Sequence, residues 1–126
     1  MNIVLWVVQV LLAAAFIMAG GMKLMTPHDA LAAQMNWVNY APAFAPKLIG
    51  TLEILGALGL VLPSLLRIKP LLTPLAALGL ALLMGGAFAT HLVLGEFGMS
   101  LPSLVLALLA AFVAWGRRKH TPIAAR

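Results

Sequence analysis

The sequence contains no cysteine and very little charge. Of its 126 residues, three are Asp or Glu and eight are Lys or Arg, so 9% are charged, against roughly 25% in an ordinary soluble domain. Without cysteine, the chain itself offers no disulfide, thiolate metal site, iron–sulfur cluster or dithiol redox chemistry. With so few polar side chains it cannot cover the surface of a soluble globule. Disorder is excluded as well, because it needs low hydrophobicity and high charge. There is no glycine-rich phosphate loop, no GxSxG elbow and no HExxH pair, which leaves nucleotide, serine-hydrolase and zinc-protease chemistry without a motif. What the chain does have is 63% hydrophobic residues and a mean hydropathy of +1.08. That composition belongs to a small integral membrane protein.

Four apolar runs fit that reading. At ~1.5 Å per residue, about 20 helical residues cross the ~30 Å hydrocarbon core. The expected spans are about 3–23, 47–66, 74–94 and 99–115. Pro63 bends or ends the second, and Pro74 suits the first turn of the third. Gly95 ends the third, and Gly116-Arg117-Arg118-Lys119 ends the fourth. The start Met1-Asn2-Ile3-Val4 lacks the basic n-region of a signal peptide, so the first run is read as a retained helix. The expected fold is all-α: one four-helix membrane domain over 1–118, followed by a basic tail over 119–126.

The net charge of +5 and the pI near 10.5 first point to an acidic partner. The basic residues form no stripe with interleaved aromatics, so nucleic acid is not expected. They sort by side instead. Arg67, Lys69, Arg117, Arg118, Lys119 and Arg126 fall on the side of both termini, and Lys23 and Lys47 on the other. Six against two sets the termini in the cytoplasm of a bacterial-type inner membrane by the positive-inside rule. The bilayer is then the first partner, with anionic head groups attracted to the tail.

One connection is long, between the first and second spans. Thr26 as N-cap, Pro27 at N1 and Asp29 in the first turn announce a short helix. Leu31, Met35 and Val38 recur at helical spacing, and Trp37, Tyr40 and Phe44 suit a membrane interface. A short interfacial helix over the outer mouth of the bundle is expected.

Ionisable residues inside spans are costly and mark candidate sites. Glu53 lies roughly 9 Å along the second span from Lys47 at the standard helical rise. Lys23 closes the first span, and His91 lies one turn before the end of the third. All three are expected near one another in the outer half. Glu53 and His91 are the candidate acid/base residues, and Lys23, Glu53, Phe88, His91 and Trp37 the candidate ligand-binding set. The same three polar residues could instead form a network that only fixes helix register. Haem is disfavoured, because His91 has no second in-span histidine at matching depth. No metal site is expected. Gly20, Gly21, Gly50, Gly56, Gly59, Gly79, Gly85 and Gly86 are read as close-packing positions, with Gly85 and Ala89 as a small-xxx-small pair. His120, Thr121 and the tail read as solvated.

The chain resembles the DoxX-like family of small four-helix membrane proteins. The resemblance rests on four stretches: residues 16–24 (FIMAGGMKL), 42–46 (PAFAP), 49–63 (IGTLEILGALGLVLP) and 86–91 (GAFATH). It spans residues 1 to about 118, and its most specific part is G-x-x-E-x-x-G around Glu53, with Lys23-Leu24 upstream. The resemblance implies a compact bundle and an association with oxidoreductase systems, some quinone-linked. By this analogy Lys23, Glu53 and His91 hold the polar positions of the pattern. The expected function is a small accessory protein or subunit of a membrane oxidoreductase system. It would bind a quinone-like or other apolar molecule, a lipid, or a partner protein. A membrane enzyme using Glu53 and His91, and a structural homo-oligomer, stand as the alternatives.

Overall fold

A computed structural model describes residues 1–124. Arg126, counted above among the basic tail residues, lies outside the described residues. The chain forms α1 (Asn2–Met25), α2 (His28–Gln34), a 3₁₀ turn (Asn36–Tyr40), α3 (Ala45–Leu66), α4 (Leu72–Val93) and α5 (Phe97–Trp115). Helices α1, α3, α4 and α5 are long and apolar enough to cross a membrane. Their ends agree with the expected spans to within two residues. The protein is a four-helix membrane bundle.

The outside of the bundle is what lipid requires. Ile3, Met18 and Leu82 are 77%, 75% and 70% exposed, in a chain with few charges to place there. The interior holds Leu12, Phe16, Ala57, Leu60, Ala77, Leu80, Ala110 and Val113. Helix α1 packs on α3, α3 on α4 and α4 on α5, while the seam between α1 and α5 is the thinnest. The bundle has a loop end, closed by the 26–44 connection, and a terminal end, where α1 begins and α5 ends.

Near the α3–α4 connection one proline frees a backbone carbonyl. Pro63 sits inside α3 and has no N–H to give the Gly59 carbonyl one turn earlier. In a membrane a freed carbonyl needs another donor. Thr73 supplies it, its hydroxyl donating to the Gly59 oxygen at 3.0 Å. Ser64 in turn donates to the Thr73 hydroxyl at 2.7 Å. Thr73 and Ser64 are 0% and 2% exposed, so the chain of bonds is dry. Arg67 and Lys69 take positive φ angles of 56° and 47° and reverse the backbone.

The terminal end departs from the expected solvated tail. The chain does not stop its helix at Gly116 but continues in a wider turn, Gly116–His120. The Thr121 amide donates to the Gly116 carbonyl five residues back. This turn aims Arg117 inward, where it is 2% exposed. Its Nε donates to Gln9 Oε1 at 2.5 Å and its Nη1 to Asn2 Oδ1 at 2.8 Å. Gln9 also donates to the Leu60 carbonyl at 2.6 Å. The Arg117 guanidinium lies 5.4 Å from the Trp6 ring centroid, within cation–π range. His120 is exposed but stacks on Trp115, their ring centroids 5.1 Å apart.

The connection at the loop end also differs in detail. It is two pieces, α2 and the 3₁₀ turn, with a break at Met35. Thr26 caps the end of α1, and Pro27, with no side-chain cap bond, precedes α2. Leu31 and Val38, at 2% and 1% exposed, pin the two pieces to the bundle. Tyr40 and Phe44 stay exposed, as interfacial aromatics would.

The Thr73 relay gives a direct test. Thr73→Val keeps shape but leaves the Gly59 carbonyl and Ser64 unpaired. It should lower stability by about 1 kcal/mol, the scale of hydrogen bonds inside membrane proteins. Reversible unfolding in mixed micelles measures this, and Ser64→Ala should cost less.

Candidate functional site

The site begins with two glycines. A Cβ on Gly20 would lie 2.6 Å from the Gly50 carbonyl oxygen, and one on Gly50 would lie 2.8 Å from the Gly20 carbonyl oxygen. Only glycine allows α1 and α3 to cross this closely. Three residues after each glycine, on the same helix face, stand Lys23 and Glu53. The crossing therefore brings the two charges together. Lys23 Nζ lies 2.8 Å from Glu53 Oε1, and the side chains are 10% and 2% exposed. Each ion is costly to bury alone, and the partner offsets that cost.

His91 takes a different partner. It occupies the last turn of α4, and its Nδ1 lies 3.3 Å from Glu96 Oε1. Gly95, at φ +76°, turns the chain so that the Glu96 amide donates to the His91 carbonyl at 2.8 Å. The expected three-residue cluster is thus two pairs: Lys23 with Glu53, and His91 with Glu96. Glu96 directly follows the turn glycine, Gly95. Its partnership comes from the tight α4–α5 turn.

Lys23, Glu53 and His91 all line one cavity of about 470 Å³ at the loop end. Its walls come from all four spanning helices, and Met35, Asn36 and Trp37 of the connection also line it. The polar groups around it are Lys23, Glu53, Thr90, His91, Ser103 and Asn36. The rest of the lining is apolar, including Met84, Ala87 and Leu106. The Thr90 hydroxyl is already used, donating to the Gly86 carbonyl at 2.9 Å. The volume falls within the roughly 300–1,000 Å³ typical of small-molecule sites, as does an apolar wall with a few convergent polar groups.

Four of the five candidate residues therefore line the cavity: Lys23, Trp37, Glu53 and His91. Phe88 does not; it is half-buried away from the lining. The glycines divide as well. Gly56 and Gly59 meet Leu80 and Ala76 of α4 at close range, but a Cβ on Gly21, Gly79, Gly85 or Gly86 would meet nothing within 4 Å. The Gly85–Ala89 pair is exposed rather than at a contact within the bundle. Gly86 lines the cavity and leaves room in it. Thr90 and Ser103 are lining residues that sequence spacing alone did not mark. Among the described residues, no three His, Asp or Glu side chains gather as a metal site.

Residues 7–113 match the DoxX-like family. The chain belongs to that family. The matched stretch includes Lys23, Glu53, His91 and every residue lining the cavity of this DoxX-like protein, and it stops short of Arg117. Comparison with curated proteins and with solved structures finds no match.

The buried pair makes an asymmetric prediction. Lys23→Met strands a buried carboxylate and should cost about 3–5 kcal/mol, whereas Lys23→Met with Glu53→Met should recover most of that loss. Thermal unfolding of the single and double variants in one detergent decides it.

Proposed function

We propose that this protein is a small membrane subunit or accessory protein of an oxidoreductase system. In this reading it holds a quinone-like or other small apolar molecule in the loop-end cavity. The observation that carries the reading is the cavity itself: about 470 Å³, largely apolar, with Lys23, Glu53 and His91 on its walls. Apolar walls supply affinity for an apolar body, and the few polar groups fix its orientation. The association with redox systems rests on family analogy. An acid/base pair of Glu53 and His91 has less support, because each already holds a polar partner of its own, Lys23 and Glu96.

The orientation belongs to the same proposal. Lys23 and Lys47 lie toward the loop end, while Arg67, Lys69, Arg117, Arg118 and Lys119 lie at the terminal end. By the positive-inside rule the termini face the cytoplasm and the cavity faces the outer half of a bacterial-type inner membrane.

Filling the cavity tests the binding reading. Gly86 has open space at its Cβ position, so Gly86→Leu should fold while occupying the cavity. Native mass spectrometry of protein released from membranes in mild detergent should find a bound small molecule on the wild type and little on Gly86→Leu. An empty wild-type cavity would sink the reading. Because the chain has no cysteine, orientation can be read with single introduced thiols. Asn39→Cys should react with an impermeant maleimide in intact cells, and Thr121→Cys only after lysis. The reverse pattern would turn the protein over.

A further inference from the structure

We propose that His91 presents its Nε2 to the cavity as a hydrogen-bond acceptor fixed by Glu96, so that the site selects ligands whose head carries a hydroxyl over heads that can only accept. The proposal rests on the binding reading above and names the residue that sets ligand choice there. For a quinone-like molecule, the selected form is the reduced one.

The acceptor follows from Glu96. His91 lines the cavity, its side chain is 12% exposed, and its Nδ1 lies 3.3 Å from Glu96 Oε1. Glu96 is not part of the lining; it holds the ring from the other edge. A carboxylate only accepts, so Nδ1 must carry the hydrogen. A neutral imidazole then keeps its lone pair on Nε2. Nε2 has no partner among the described residues yet keeps accessible surface, so a molecule in the cavity can reach it. Glu96 is well placed to hold the ring, because its backbone is tied on both sides. Its amide donates to the His91 carbonyl at 2.8 Å, and its carbonyl accepts from the Met99 and Ser100 amides, each at 3.1 Å.

The selectivity follows from the other polar groups on the wall. Glu53 is met by Lys23, and the Thr90 hydroxyl donates to the Gly86 carbonyl. Ser103 and Asn36 carry groups that both donate and accept, so either kind of head can use them. The Lys23 ammonium has further N–H groups, which suit any head with an oxygen. Nε2 differs from all of these. With Nδ1 held by Glu96, it stays an acceptor while the ring is neutral. A hydroxyl can accept from the wall and donate to Nε2 at once. An ether or carbonyl does only the first and leaves Nε2 desolvated without a partner, which is costly. A site with such a group discriminates against the analogue that lacks the matching hydrogen.

4-Nonylphenol and 4-nonylanisole test the acceptor. They share ring and tail, and the methyl cap removes the hydrogen but keeps the oxygen. Each is titrated into protein in phosphatidylcholine nanodiscs at about pH 8, where free imidazole and phenol are both neutral. Empty nanodiscs give the lipid partition, and retained probe per protein is counted by mass spectrometry. The wild type should favour the phenol about tenfold or more, the scale of one buried hydrogen bond. His91→Phe keeps an aromatic ring and should bring the preference to about one. Glu96→Gln tests the lock. Its amide can donate to Nδ1, which moves the ring hydrogen to Nε2 and favours heads that accept. The phenol should still bind while the anisole gains, so the preference should fall about threefold or more. A Glu96 that only supports the fold would weaken both probes together and leave their ratio unchanged, and that result overturns its positioning role. A preference that persists in His91→Phe overturns the choice of His91. If both probes bind the wild type equally and Gly86→Leu removes both, the cavity binds ligands but the selection proposed here fails. If neither binds, the binding reading fails with it.

Discussion

The crossing of Gly20 and Gly50 is the contact on which the rest of this molecule depends. In lipid, apolar side chains gain nothing by leaving their surroundings for one another, so helices associate through close packing and polar bonds. Two glycines remove the side chains that would hold α1 and α3 apart. The approach then delivers Lys23 to Glu53, each one turn further along. Packing and electrostatics are therefore not separate contributions at this point. If the backbones moved apart, the ammonium and the carboxylate would each be left in an apolar wall without a counter-charge.

From that crossing the bundle acquires an unequal pair of ends. At the terminal end, polar groups are consumed: Arg117, Gln9, Asn2 and the Leu60 carbonyl satisfy one another, and Leu5 seats against Gly116. At the loop end, polar groups are left facing a space. A membrane protein tolerates unused hydrogen-bonding capacity only where water or a ligand can reach it. The same four helices thus provide a sealed half and a receptive half. The short α4–α5 turn gives the receptive half its second polar pair, because Gly95 folds Glu96 back onto His91.

Much of this could be read from the residues, for definite reasons. Span ends are legible because a bilayer imposes a length and because glycine, proline and basic clusters interrupt the apolar runs. Lys23 and Glu53 are legible because charge is so scarce that each instance within a span is conspicuous. Their common G-x-x-charge spacing, Gly20 to Lys23 and Gly50 to Glu53, puts each charge one turn beyond its glycine, but which helices cross there came only from the structure. The partner of His91 was not legible, since it depends on the positive φ of Gly95 rather than on helical periodicity. Arg117 was hidden for another reason. A basic residue after an apolar run looks like a lipid-facing anchor, and only the wide Gly116–His120 turn sends it inward. Gln9 carried the missing signal: an amide in the middle of the first run demands partners. Which glycines pack and which line a void is decided by the rotation of each helix, which an almost uniformly apolar sequence leaves undefined.

Gln9 also ties the beginning of the chain to its end in time. Its amide nitrogen bonds a carbonyl 51 residues later, and its amide oxygen is met by an arginine 108 residues later. During synthesis α1 enters the membrane well before either partner exists. Until Arg117 emerges, that buried oxygen lacks its guanidinium donor. The last spanning helix therefore completes the first, and a chain cut before Arg117 would retain four spans without the bond that locks the ring of helices at its terminal end.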